Sequence, residues 1–197
     1  MAPTIQIYLA SQSPRRRALL QQIGVRFRVL VPEVNEAPLP RETPEDYVMR
    51  IARIKAEAIW MRVATRRMQP RPVLAADTAV ILGRHILGKP GTDAAARTML
   101  QTLSGRSHRV LTSVAVAYEN RLKLVTSVTR VKFRRVSDDE IVRYVASGEP
   151  HDKAGGYGIQ GLAAVFIARI EGSYSGVMGL PLFETARLLQ HFGVQKL

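Results

Sequence analysis

The stretch Ile5-Gln6-Ile7-Tyr8-Leu9-Ala10-Ser11-Gln12-Ser13-Pro14-Arg15-Arg16-Arg17 decides the reading of the chain, because an apolar strand pattern breaks into a polar turn and then into helix. Ile5, Ile7 and Leu9 alternate as a strand does, Ser13 is a good N-cap, and Pro14 suits a first helical turn. Leu19, Leu20 and Ile23 then recur at helical spacing until Gly24. Strand followed at once by helix is the layout of an anion site. The free N–H groups and positive end of the helix favour negative charge, and the guanidinium forks of Arg15, Arg16 and Arg17 match phosphate oxygens. A capped surface helix with solvated arginines would carry the same residues, so the rest of the chain has to choose.

Composition bounds the choice. The 197 residues, 46% apolar, suffice for a substantial core in a single domain spanning 1–197, and the mean hydropathy is −0.03. No apolar run approaches the ~20 residues of a membrane helix, and no basic start leads into an apolar signal segment; a cytoplasmic protein with no membrane partner is expected. The sequence contains no cysteine, which excludes disulfides, thiolate metal sites and cysteine nucleophiles and leaves oxygen or imidazole ligands for any metal. The net charge of +13 suggests a polyanionic partner. Only six of the 29 basic residues are lysine, and the arginines are scattered along the chain. Scatter, with 6% aromatics, argues against a dedicated nucleic-acid face, and plain solvated surface accounts for much of the charge.

Further along, Phe27, Val29 and Val31 alternate as a second strand, followed by the proline-rich loop 32–40, which puts Glu36 on flexible ground. Thr43-Pro44-Glu45-Asp46 is a helix start, and Tyr47, Val48, Ile51, Ile54, Ala58 and Ile59 supply an apolar stripe. Nothing in that spacing singles out Lys55.

Val73 to Leu82 is a nearly continuous apolar run broken by one carboxylate, Asp77. An ionised carboxylate in such a run is costly unless paired, well hydrogen-bonded or bound to a cation, so Asp77 is a functional candidate. The plainer alternative is an edge aspartate that caps a turn with Thr78. Gly83-Arg84-His85 turns the chain back through Ile86-Leu87, and Lys89 falls one hairpin away from Asp77, ahead of a helix from Asp93 to Leu103.

Residues 104–109 read as a polar connection, with His108 a lone loop histidine to which no chemistry is assigned. A long hairpin follows, Val110–Tyr118 against 122–133. Ser137-Asp138-Asp139-Glu140 is a capping box, a complete structural explanation for that acidic cluster. In 151–161, four glycines within seven residues permit close backbone approach to a ligand, and Gln160 offers the donor and acceptor needed to read a nucleobase edge. A strand 165–170, a turn at 171–174 and a helix begun by Pro181 complete an α/β (α+β) domain with a mixed sheet.

Together, Leu9-Ala10-Ser11-Gln12-Ser13-Pro14-Arg15-Arg16, Ala76-Asp77-Thr78, Leu87-Gly88-Lys89-Pro90, Leu103-Ser104-Gly105-Arg106-Ser107-His108, 152–161 and Gly179-Leu180-Pro181-Leu182 resemble the Maf family of nucleoside triphosphate pyrophosphatases. The resemblance implies a divalent-metal enzyme, with magnesium or manganese, that cleaves a nucleotide between its α and β phosphates. It also implies an elongated mixed sheet with two lobes around a cleft, as in inosine triphosphate pyrophosphatases. By resemblance Asp77 is the catalytic acid and, with Glu36, the metal ligand, while Ser13, Arg15, Arg16, Lys55 and Lys89 hold phosphate. Arg15, Thr78 and Gln160 match positions tied to specificity in the branch acting on dTTP and UTP. Alternatives are a 7-methyl-GTP pyrophosphatase, or a non-enzymatic nucleic-acid-binding or cell-division regulatory protein; a homodimer is left open. Two residues depart from the family pattern: Gln12 where glycine is usual, and Ile54 where glutamate is usual.

Overall fold

The computed structural model describes residues 5–194. Its backbone is one seven-stranded mixed sheet: β1 (Ile7–Leu9), β2 (Phe27–Val29), β3 (Val73–Leu82), β4 (His85–Leu87), β5 (Ser107–Tyr118), β6 (Arg121–Phe133) and β7 (Ile167–Glu171). The strand order is β2-β1-β3-β5-β6-β7, with β4 on β3. Helices α1 (Pro14–Gln22), α2 (Pro44–Thr65), α3 (Asp93–Leu103), α4 (Asp138–Ala146), α5 (Tyr174–Val177) and α6 (Leu182–His191) cover the faces. This is the mixed sheet flanked by helices that the sequence leads one to expect.

The position of the cleft follows from how β3 is paired. Along 73–81 β3 pairs antiparallel with β5, so its other edge must serve both remaining partners. Parallel β1 takes Val73 and Leu74, antiparallel β4 takes Val80 to Leu82, and residues 75–79 between them have no strand on that edge. The sheet is open there, with Asp77 at the centre of the opening. Because side chains alternate across a strand, Val73, Ala75, Ala79 and Ile81 pack toward α2 while Leu74 and Ala76 join the core beneath α1 and α6. Asp77 therefore faces α2, and Thr78 faces the opposite side.

The helix starts read at Ser13 and at Thr43 both form. Ser13 Oγ accepts the Arg16 N–H and Pro14 opens α1, while Thr43 caps α2. Gln12 is not in the left-handed region, so the turn needs no glycine at that position. Ser137 and Glu140 close a reciprocal capping box on α4.

The structure corrects three expectations. β5 begins at Ser107, three residues earlier than read, because Ser107, His108 and Arg109 pair with Lys132, Val131 and Arg130. The strand expected at 165–170 runs from Ile167 to Glu171, since Leu162–Phe166 forms a 3-10 helix that buries Ala163 and Phe166. The loop 32–42 is tied down. Arg50 donates to both carboxylate oxygens of Glu42 and to the Ala37 carbonyl, and Tyr47 donates to the Glu36 carbonyl.

His108, placed inside a strand, is 2% exposed, packs edge-on against Phe133 and Tyr157, and shares a 2.7 Å hydrogen bond between its Nε2 and the Tyr157 hydroxyl. Its Nδ1 is buried with no hydrogen-bond partner among the described residues. Burial pushes its pKa down to about 4, whereas the unfolded chain protonates near 6.5. The unfolded state thus binds the proton first, so this contribution is complete above about pH 6.5 and is lost as pH falls toward 4. Between pH 7.5 and 4.5 the loss is about 2 kcal/mol. Urea unfolding should show a steeper acid decline in the wild type than in His108→Gln; identical slopes would contradict the buried neutral histidine.

Candidate active site

The open edge of β3 is the floor of a cleft of about 870 Å³. One wall is the turn after β1 with the start of α1, Ser11 to Arg16; the facing wall is Ile86 to Lys89 with 152–154 and 157–161. Ser13, Arg15, Arg16, Glu36, Lys55, Asp77, Thr78, Lys89 and Gln160 all line it, so every expected site residue is brought to one place.

Asp77 and Lys55 are each only 7% exposed. Lys55 Nζ lies 2.9 Å from Asp77 Oδ1 and 2.7 Å from Glu36 Oε2, so one ammonium joins a buried carboxylate to a half-exposed one. Asp77 Oδ2 has no protein donor among the described residues. Burial raises the pKa of Asp77; the charges of Lys55 and Arg16 and the Lys55 hydrogen bond pull it back, and the Glu36 charge adds to the rise. The result is a desolvated carboxylate with one free oxygen, suited to accept a proton. Tyr47 stands beside the pair, and its hydroxyl is pushed up to about 12 by burial and by the Asp77 and Glu36 charges.

The two arginines at the start of α1 differ. Arg16 is built into the wall: its Nε donates to the Gly179 carbonyl at 2.8 Å, Nη1 to Ser11 Oγ and Nη2 to Thr78 Oγ1, each at 3.2 Å. One N–H on each terminal nitrogen remains for a ligand. Burial lowers its pKa, partly offset by Asp77, yet a guanidinium stays charged. Arg15 is held only by a loose 4.0 Å ion pair with Asp152 and is half-exposed. Thr78 shares its hydroxyl with Arg16 and Thr112, and Thr112 in turn donates to the Gly176 carbonyl, a chain that fixes the 176–179 wall.

Lys89 and Gln160 are exposed on the cleft wall and make no side-chain hydrogen bond or ion pair to the described residues. Their heads are free for a ligand. Asp152 and Lys153, which sequence reasoning left without a role, also line the cleft, joined to each other at 2.6 Å.

Five basic side chains and three carboxylates line the cleft at this opened sheet edge, which defines a site for a multiply charged anion with a proton acceptor at its base. The chain matches the family model described as Maf-like protein over residues 6–192 and belongs to that family. It is 53% identical to the dTTP/UTP pyrophosphatase of Nitrosomonas europaea over 196 residues, 95% of each chain. It is 54% identical to the dTTP/UTP pyrophosphatase of Ralstonia nicotianae over 195 residues, 95% of this chain and 94% of that one. The dTTP/UTP pyrophosphatase of Cupriavidus pinatubonensis is 55% identical over 190 residues, covering 93% and 95%. Among solved structures the Staphylococcus aureus Ham1 protein aligns over 65% of this chain and 71% of its own, at 16% identity and a TM-score of 0.46, too weak a likeness to bear on the fold.

Proposed function

We propose that the chain is a cytoplasmic nucleoside triphosphate pyrophosphatase that hydrolyses dTTP and UTP, and pyrimidine nucleotides modified at C5, to the monophosphate and pyrophosphate. The relatives named above support the substrate class. The observation that carries the chemistry is the buried Asp77 with one free oxygen, held by Lys55 of α2 in the cleft that the cationic start of α1 also lines. In this reading Asp77 Oδ2 takes a proton from a water as its oxygen adds to the α-phosphorus, and the bond from that phosphorus to the bridging oxygen breaks, so that pyrophosphate departs with the electron pair. Ser13, Arg15, Arg16 and Lys89 hold the phosphates, and Lys55 keeps Asp77 oriented and ionised. Positioning and charge neutralisation carry most of such a reaction.

Glu36 and Asp77 offer two carboxylates on one side of the cleft, bridged by an ammonium that already sits where positive charge is wanted. That oxygen set fits magnesium or manganese shared with the substrate phosphates. When bound, such a cation would neutralise charge growing on the phosphate oxygens.

No helix among the described residues is long and apolar enough to cross a membrane. The cytoplasmic placement rests on the sequence composition.

Base choice falls to Gln160. A neutral amide pairs with the O4 and N3–H edge of uracil or thymine, whereas a carboxylate would suit the donor edge and positive ring of 7-methylguanine. Steady-state kinetics on UTP and 7-methyl-GTP test this. Wild type should favour UTP, and Gln160→Glu should lower the UTP to 7-methyl-GTP ratio of kcat/KM by at least about tenfold. A wild-type preference for the methylated purine, or an unchanged ratio in the variant, would contradict it.

A further inference from the structure

The turn that carries Gln160 is built on a side chain outside the cleft lining. Gly161 N–H donates to the Gly158 carbonyl at 3.1 Å, which makes 158–161 a tight turn with Ile159 and Gln160 at its corners. Ile159 is buried in the core beneath α1 and α6, and Gln160 is left on the cleft side. Under this turn lies Glu149, three residues beyond the end of α4. Its Oε2 accepts the Leu162 N–H at 2.8 Å and its Oε1 accepts the Tyr144 hydroxyl at 3.0 Å. Lys153, itself on the cleft wall, donates to the Glu149 carbonyl at 2.8 Å.

The glycines of this loop fall into two kinds. Gly155 and Gly156 have φ of 73° and 69°, so their backbone conformation asks for glycine. Gly158 and Gly161 do not lie in the left-handed region, and Gly161 has φ of −102°, which any residue adopts. What excludes a side chain at Gly161 is Glu149, whose carboxylate would lie 2.2 to 2.4 Å from a Cβ there. A Cβ on Gly158 would lie 2.8 Å from Lys153 Cε and 3.0 Å from Glu149 Oε1. The carboxylate occupies the space of the side chain missing at Gly161 and, with Lys153, crowds the one missing at Gly158. At the other end of the loop, Tyr157 is fixed by its hydroxyl bond to His108.

We propose that Glu149 is a positioning residue for base selection: its carboxylate is the template on which the 158–161 turn is folded, and thereby sets how far Gln160 reaches and how large a base the cleft admits. This rests on the pyrimidine-nucleotide reading above. Removing the template loosens the turn and lets a purine enter, while leaving Asp77, Lys55 and the phosphate-binding side chains in place. The effect falls on KM and on selectivity instead of on kcat.

The test is kcat and KM for UTP and GTP in wild type, Glu149→Ala, Glu149→Gln, Gly161→Ala and the Glu149→Ala/Gly161→Ala double variant. Glu149→Ala should raise KM for UTP about tenfold, keep its kcat within about threefold, and compress the UTP to GTP ratio at least about tenfold. Glu149→Gln should stay within about threefold of wild type, because its amide oxygen accepts the Leu162 N–H and its amide nitrogen donates to the Tyr144 hydroxyl. Gly161→Ala, which forces the carboxylate out, should compress the ratio as Glu149→Ala does, and the double variant should be no worse than Glu149→Ala alone. An unchanged ratio in Glu149→Ala, or additive losses in the double variant, would overturn the proposal. Should Glu149→Ala not fold, the contrast between a selective Glu149→Gln and an unselective Gly161→Ala decides it, and equal selectivity in those two overturns it. A wild type that does not prefer UTP over GTP would instead refute the pyrimidine reading itself, whatever the variants do.

Discussion

Asp77→Asn should lower kcat for UTP by about a thousandfold or more while the protein stays folded. The size follows from the proposed role: a positioned general base is worth about 10²–10⁴ in rate, and in the proposed mechanism this carboxylate would also help hold a cation and orient the water. The effect on stability is small for a separate reason. Burial raises the pKa of Asp77, so its ionised form costs folding energy at every pH above that raised value, and the cost vanishes as pH falls below the ordinary carboxylate range. Asparagine removes the cost and still offers Oδ1 to Lys55, whose charge remains countered by Glu36 at 2.7 Å. Thermal unfolding at pH 7 should therefore change by no more than a few degrees. A variant that keeps near wild-type turnover would remove Asp77 from the chemistry. One that fails to fold would mean that Asp77 is structural.

Chelation should have an effect of similar size. With excess EDTA, turnover of UTP should fall by more than about a thousandfold, since a bound cation contributes several kcal/mol of transition-state stabilisation and each 1.4 kcal/mol is tenfold. Magnesium or manganese should restore it, and calcium, larger and less demanding in geometry, should restore it poorly. The Glu36→Gln variant should need more metal for half-maximal rate, with saturating kcat less affected. Full activity in excess chelator would place the whole burden of charge neutralisation on Arg15, Arg16 and Lys89.

Much of this site is legible in the chain, and the parts that are not have physical causes. The turn from β1 into α1 is legible because capping chemistry is local: Ser13 and Pro14 specify a helix start wherever the strand ends. Asp77 stands out because a charge in an apolar strand has no cheap explanation. What makes it accessible is that β1 and β4 share one edge of β3 and leave 75–79 open between them, and that pairing is set by long-range contacts no local pattern encodes. Lys55 carried a signal that went unread. It falls on the buried face Val48, Ile51, Ala52, Lys55, Ala56, Ile59 and Val63, four residues from Ile51 and from Ile59, whereas Ile54 and Ala58 lie off that face. A lysine on the apolar stripe of a helix is as anomalous as an aspartate in an apolar strand, and the two anomalies are each other's partner.

The loop 32–40 looked flexible from its prolines because Arg50, which anchors it at the Ala37 carbonyl, is on a different element. His108 looked like a loop residue because its aromatic partners, Phe133 and Tyr157, are 25 and 49 positions away. The glycines at 158 and 161 read as room for a ligand to approach the backbone, yet Gly161 marks space filled by Glu149 and Gly158 space shared by Lys153 and Glu149.

Product analysis of UTP and dTTP turnover by the wild type with magnesium or manganese decides whether this cleft hydrolyses the α–β anhydride of a pyrimidine nucleoside triphosphate. Monophosphate and pyrophosphate should form in equal amounts, with no diphosphate or orthophosphate, and both products should be lost in Asp77→Asn. Release of UDP with orthophosphate, or no turnover of either nucleotide with magnesium or manganese present, would contradict it.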